Sequence, residues 1–327
     1  MADGRPACPY DPAFVLFAVF TLIAGLVLLT LGADRFVLAA ARVSRRLGVS
    51  AVLIGALVIG LGTSAPELLV SVLAAGRGEV DLALGNVVGS NTANMTLVLG
   101  SAALVAPIVS RVATIRREGF TMFVALGALS VLLWNLELIR WEAAALLAAM
   151  VLAAVLLIRW SAPDRTVRGV DLVPGDEEVW SGSVGREVTL GIVMLVVTLL
   201  GADLLVRGAS RLAVEAGISS AFVGLVIVSV GTSLPELATA IASARRGETD
   251  LVLGNVVGSN LFNTLAVAGA AGLVGPGVVD LHFRNAVVFM LASGVIAGLF
   301  VVTGREVTRW QGTILLALFL GFVAIAV

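Results

Sequence analysis

An all-α membrane protein with ten transmembrane helices in two inverted five-helix repeats is the fold this sequence predicts, and three observations predict it. Of the 327 residues, 59% are hydrophobic and only 13% charged, where a soluble domain carries about 25% charged residues. Mean hydropathy is +1.07. The apolar residues gather in continuous runs of about 20, enough to cross a hydrocarbon core about 30 Å thick as a helix, without the alternation of a membrane β-barrel. Finally, motifs in the first half return in the second at one constant spacing.

In chain order the spans are expected at residues 13–46, 49–75, 80–108, 120–134, 141–160, 187–216, 219–244, 249–274, 285–302 and 307–327. The first and sixth are too long to stand upright and should tilt. Trp134, Trp141, Trp160 and Trp310 fall at span ends, where aromatic rings anchor in the interface. Residues 161–186 hold Pro163, Pro174 and the acidic run Asp176, Glu177, Glu178, the composition of a linker. The chain thus divides into a first half, 1–160, a linker, 161–186, and a second half, 187–327. Residues 1–10 lack a basic stretch ahead of an apolar run, so no removable signal peptide is expected.

Gly32-Ala33-Asp34 returns as Gly201-Ala202-Asp203. Gly62-Thr63-Ser64-Ala65-Pro66-Glu67 returns as Gly231-Thr232-Ser233-Leu234-Pro235-Glu236. Gly85 to Asn91 returns unchanged as Gly254 to Asn260. Every pair is 169 positions apart (231 minus 62, for one), which marks a duplication. Five spans per half is an odd number, so the second half must enter the membrane upside down, the architecture of secondary transporters. Arginines crowd the connections after odd-numbered spans, which places those loops and the linker in the cytoplasm and both termini outside a plasma or inner membrane.

The chemistry rests on the repeated motifs. Glu67 and Glu236 lie near mid-span, where a charge costs at least about 2.5–3.5 kcal/mol and normally faces a partner or a wet cavity. Neither predicted span holds an arginine at that depth, which leaves a cation as the natural partner. Pro66 and Pro235 remove a helical hydrogen bond and loosen the carbonyls of Gly62 and Gly231. Thr63, Ser64 and their copies Thr232, Ser233 share a helix face with the glutamates. Ser90 with Asn94, and Ser259 with Asn263, are four apart and face one way. Asn91 and Asn260 point elsewhere, toward interhelical hydrogen bonds. The donors are all oxygen, which suits hard cations such as calcium, with sodium also accommodated in broken helices.

Other polar residues read as structure. Asp34 and Asp203 should cap helices or pair with arginines. Glu79, Asp81, Glu248 and Asp250 sit where helices start, although they could gather cations at an entrance. A single cysteine, Cys8, and a single histidine, His282, leave no cysteine or histidine metal site. No cofactor is expected. A net charge of −1 gives no basic field for nucleic acid; the partners expected are the transported ions and the lipid bilayer.

Doubled and opposed, Gly-Thr-Ser-x-Pro-Glu followed by Gly-Asn-x-x-Gly-Ser-Asn resembles the two α-repeats of the sodium/calcium exchanger family, prokaryotic type, within the cation/calcium antiporter superfamily. The resemblance covers effectively the full chain. It implies calcium exchanged for sodium, with the ions lined by Thr63, Ser64, Glu67, Ser90 and Asn94 and by Thr232, Ser233, Glu236, Ser259 and Asn263. Some members carry aspartate where this chain has Asn263, and potassium-dependent relatives carry it also at the position of Asn94. Two amides argue against potassium co-transport. The short linker lacks the large calcium-sensing insertion of animal exchangers. Proton/calcium exchange is the alternative within transport, since a buried glutamate can take a proton instead. A passive channel is a third reading. An intramembrane enzyme with Ser64 or Ser233 as nucleophile would need a base, and the chain offers only His282 and no lysine.

Overall fold

The computed structural model describes residues 12–109, 112–160, 183–215, 229–281, 283–304 and 306–326. Cys8, His282 and nearly all of the linker lie outside them. Among the described residues the chain is predominantly helical: α1 Pro12–Leu47, α2 Ala51–Thr63 and α3 Ala65–Gly76. Helix α4 runs from Val80–Ala93 through a widened π turn, Asn94–Val98, into Leu99–Val105. Then come α5 Val112–Leu132, α6 Arg140–Trp160, α7 Val184–Glu215, α8 Ser229–Thr232 and α9 Leu234–Arg245. The last are α10 Thr249–Val274, α11 Phe283–Thr303 and α12 Arg309–Ala326. Among the described residues six helices are long and apolar enough to cross a membrane, seven if the bent pair α2 and α3 counts as one span.

The expected span 49–75 is therefore two helices inclined by 44°. Its proline does not kink a continuous helix. One helix stops at Thr63, Ser64 leaves helical geometry at φ −82° and ψ 11°, and Pro66 sits in the first turn of α3, where a missing N–H leaves nothing unsatisfied. The copy repeats this at Ser233, with φ −87° and ψ 5°. Of the expected span 219–244, residues 219–228 lie outside the described set and the remainder is α8 and α9. The turns joining α3 to α4 and α9 to α10 pass through Gly78 and Gly247 at φ +80° and +71°, a backbone state glycine adopts without strain.

Helices α1 and α7 pack along their length on small residues. A methyl placed on Gly25 would sit 2.4 Å from the Leu205 nitrogen, and one on Gly201 2.3 Å from the Leu29 nitrogen. Gly208 abuts Leu22 in the same way, and Gly32 abuts Thr198. Residue numbers rise along one helix as they fall along the other, so the two are antiparallel. With little hydrophobic drive between helices in lipid, such backbone approach is what holds them. Their other faces, Leu16, Phe20 and Ile23 among them, are exposed and apolar, as a lipid-facing surface must be. Helix α10 is the centre: 89% of its spanning window is buried, against 22–39% for the other long helices. Helix α2 lies beside it, with Gly55 against Gly254 and Gly60 against Ser259.

Two short antiparallel strand pairs tie connections from the two halves. Ile108–Val109 (β1) pairs with Glu306–Val307 (β4), and Glu137–Leu138 (β2) with Gly277–Val278 (β3). The register of one pair, Ile108 opposite Val307, becomes that of the other, Gly277 opposite Leu138, when the partners exchange halves at the repeat spacing.

Candidate ion-binding site

Each glutamate is placed by the break before it. Ser64 and Ser233 end one helix and start the next, which sets Glu67 in the first turn of α3 and Glu236 in the first turn of α9. There the helix dipole favours a negative charge. Both carboxylates are buried. Among the described residues the ion pairs lie elsewhere: Arg42–Glu187, Arg45–Glu248, Arg207–Asp203 and Arg246–Asp34.

What the glutamates meet is each other's motif. Ser64 Oγ donates to Glu236 Oε1 at 2.7 Å, and Ser233 Oγ donates to Glu67 Oε1 at 3.3 Å. Ser259 Oγ lies 3.5 Å from Glu236 Oε1 and 3.3 Å from the Gly60 carbonyl; Ser233 Oγ is 3.5 Å from Ser90 Oγ. Six of the ten expected residues thus fall in two hydrogen-bonded groups, Glu67 with Ser233 and Ser90, and Glu236 with Ser64 and Ser259, each mixing residues of both halves. The second carboxylate oxygen, Oε2, of both Glu67 and Glu236 is buried with no hydrogen-bond partner among the described residues.

Asn94 and Asn263 are also buried, each at a π turn, and neither polar atom of either amide has a hydrogen-bond partner among the described residues. Buried polar groups are nearly always hydrogen-bonded, and π turns concentrate at functional sites. Two amide oxygens and two carboxylate oxygens left open are hard donors of the kind a cation can use. The threonines differ from this set. Thr63 Oγ1 donates back to the Ile59 carbonyl at 2.9 Å, and Thr232 Oγ1 reaches Asn86 Oδ1 at 3.5 Å.

Two residues that sequence reasoning did not single out complete the frame. Asn86 Nδ2 donates to the Glu67 carbonyl at 3.2 Å and to Ser71 Oγ at 2.9 Å. Asn255 Nδ2 donates to the Glu236 carbonyl and to Thr239 Oγ1, both at 3.2 Å. Each brace holds the backbone of a glutamate against the next helix. Both asparagines lie in the repeated Gly-Asn motif, which was the available signal; only packing reveals their face. Asn91 bonds across helices to Thr264 Oγ1 at 2.9 Å, as expected. Asn260 does not: its amide turns back to the Val256 carbonyl of its own helix at 2.7 Å, the nearer acceptor one turn away.

The peripheral acids meet arginines or backbone amides. Asp34 takes both Nε and a terminal nitrogen of Arg246, and Asp203 binds Arg207 one turn on. Glu79 and Glu248 precede helices whose first turns hold Asp81 and Asp250. Glu248 pairs with Arg45 at 3.0 Å, and Asp81 accepts from the Asp280 nitrogen at 2.8 Å. The four tryptophans at helix ends are all exposed.

Comparison with known proteins identifies the family. The chain is 39% identical to the CaxA protein of Alkalimonas amylolytica, over 94% of this chain and 98% of that one. It is 30% identical to the sodium/calcium exchanger MaX1 of Methanosarcina acetivorans, over 93% and 97%. Its structure superimposes on that of the sodium-calcium exchanger NCX_Mj, soaked with sodium and strontium, with a TM-score of 0.83, 28% identity and coverage of 95% and 98%. The family described as "Sodium/calcium exchanger protein" matches residues 17–159 and 187–327. By sequence and fold, this chain belongs to the sodium/calcium exchanger family.

Proposed function

We propose that this multi-pass membrane protein exchanges calcium for sodium by alternating access, with both ions competing for Glu67 and Glu236. The observation that carries this reading is the reciprocal pairing of Ser64 with Glu236 and Ser233 with Glu67, which sets the carboxylate of each half against the motif of the other. Thr63, Ser64, Ser90 and Asn94, with Thr232, Ser233, Ser259 and Asn263, supply the neutral oxygens. Two carboxylates balance one calcium ion, and hydroxyl, amide and carbonyl oxygens fill the 6–8 positions calcium takes. An empty site leaves two buried charges, which resist the switch between faces; loading with either cation relieves that cost and couples the two fluxes. If more than two sodium ions exchange per calcium, the membrane potential contributes about 2.3 kcal/mol per charge per 100 mV. Ser64 and Ser233 serve the glutamates, and the family is one of transporters rather than enzymes.

The same reading takes the chain as ten spans in two inverted halves, 1–160 and 187–327, joined by a cytoplasmic linker, 161–186, with both termini outside. Support comes from contacts that exchange between halves. Gly208 against Leu22 has its counterpart in Gly191 against Ala39, and the strand pairs exchange likewise. The antiparallel run of α1 and α7, equivalent helices of the two halves, is in keeping with a relating axis in the membrane plane. The long pair α1 and α7 carries none of the ion motifs and is the element proposed to move.

Calcium-45 uptake into proteoliposomes loaded with sodium, potassium or protons tests the function. Uptake is expected only against sodium. Uptake driven by protons alone would replace sodium as the counter-ion, and uptake without any counter-ion would make the protein a channel. A cysteine at Asp176 in a Cys8-free chain should resist an impermeant thiol reagent in sealed, right-side-out cells. Its labelling would invert the orientation.

A further inference from the structure

The long helix pair is tied to the ion-binding helices on one side only. Asp34 of α1 accepts two hydrogen bonds from Arg246, at 2.9 and 2.7 Å. Arg246 caps the end of α9, the helix that carries Glu236. At the repeat spacing Asp34 corresponds to Asp203 of α7, and Arg246 to Arg77, which caps the end of α3 behind Glu67. That equivalent pair is not made. Asp203 binds Arg207 of its own helix at 2.7 Å, and the Arg77 side chain is exposed and makes no hydrogen bond or ion pair among the described residues. The counterpart of Arg207 is Leu38, so Asp34 has no such substitute partner on its own helix.

Helices α1 and α7 are meanwhile fastened to each other. Beyond their glycine contacts, Arg42 binds Glu187 at 3.2 Å near one end, and Arg211 lies 5.2 Å from the Phe17 ring centre near the other. The two are thus held to each other near both ends as well as along their length.

We infer that Asp34–Arg246 and Asp203–Arg77 are alternating ties of the transport cycle, one made while the other is open. The inference rests on the alternating-access reading. In a molecule whose halves are related by a two-fold axis, reversing the facing direction exchanges the arrangements of the two halves. A contact made in one half and unmade in its copy therefore marks what changes hands. Arg207 keeps Asp203 compensated while its tie is open. Asp34 has no such residue, so the two ties are not equivalent and the arrangement seen here is the favoured one. The side chains of Asp34 and Arg246 are 40% and 29% exposed, and exposed pairs are weak. A tie of this kind biases the two states without locking either.

The test uses the full chain with Cys8→Ser in proteoliposomes. Its sodium-driven calcium uptake is measured first, and absence of uptake at that stage would refute the antiport reading by itself. Arg77→Cys with Asp203→Cys is then treated with a short, reducible, bifunctional thiol reagent. The expected result is a cross-link that stops exchange and is reversed by reductant. Adding Asp34→Asn should raise its yield about threefold or more, the size of population shift that a weak contact controls. Exchanging the charges instead, with Asp34→Arg and Arg246→Asp, should return the yield to its starting value, which a fold defect would not do. Failure of the cross-link to form, or a yield indifferent to Asp34→Asn, overturns the proposal.

Discussion

Glu67 and Glu236 stand in the same motif, yet their surroundings differ. Ser64 approaches Glu236 at 2.7 Å and Ser259 adds a longer contact, whereas Ser233 reaches Glu67 at 3.3 Å and is shared with Ser90. The braces differ as well: Asn86 uses Ser71, and Asn255 uses Thr239, residues that do not correspond at the repeat spacing. Duplication supplied two copies of one chemical kit, and packing made them unequal. A site facing two directions in turn can hold its two carboxylates with different firmness, because each half meets a different neighbour at any moment.

The largest expected effect erases the comparison. Glu67→Gln and Glu236→Gln each keep shape and remove a charge needed for a divalent ion. Each should abolish calcium exchange, a loss of about 100-fold or more, with the purified protein still monodisperse on size exclusion. Wild-type flux in the doubly substituted protein would remove both residues from the ion path.

The next effect sharpens it. Ser64→Ala removes the short hydroxyl–carboxylate bond, and hydrogen bonds to charged groups are worth about 1.5–3 kcal/mol. Calcium affinity should fall by about tenfold or more, read by isothermal titration. Ser233→Ala, at the longer contact, should cost less. Equal losses would show that the difference between halves carries no energy.

Asn263→Asp tests a third kind of asymmetry, adding a titratable carboxylate to the second half only. Sodium-dependent calcium flux between about pH 5.5 and 8 should gain a pH dependence absent from the wild type, or a sensitivity to potassium. Superimposable profiles would show that Asn263 does not face the ions. The smallest effect belongs to the braces. Asn86→Ala and Asn255→Ala leave every ion-facing oxygen in place and loosen only the backbone behind a glutamate. Each should weaken calcium binding by about threefold to tenfold, in line with the loss of neutral hydrogen bonds. Unchanged affinity in both would reduce them to helix glue.

Most of the site's residues could be read from the chain because membrane insertion makes polarity conspicuous. A glutamate, a proline and paired hydroxyls in an apolar run need a reason, and their repetition at a fixed spacing supplies one. Less was legible where several polar residues share one motif. Asn86, Asn91 and Asn94 lie within nine positions, and one braces, one bonds across helices and one is left open. Helical spacing separates their directions without saying what stands in each direction. Asn260 shows the limit, since its own Val256 carbonyl outcompeted the neighbouring helix.

By itself the sequence determined the class of solvent, the helical answer to it, the duplication and the oxygen-only chemistry. Each follows from local composition, because lipid forces every backbone polar group to be satisfied within its own segment. Tertiary structure alone decided that the serine of one half serves the glutamate of the other, that the proline starts a helix instead of bending one, and that only one of two equivalent aspartate–arginine pairs is joined. Those outcomes depend on contacts between residues more than 140 positions apart, and nothing within a single span specifies which partner arrives.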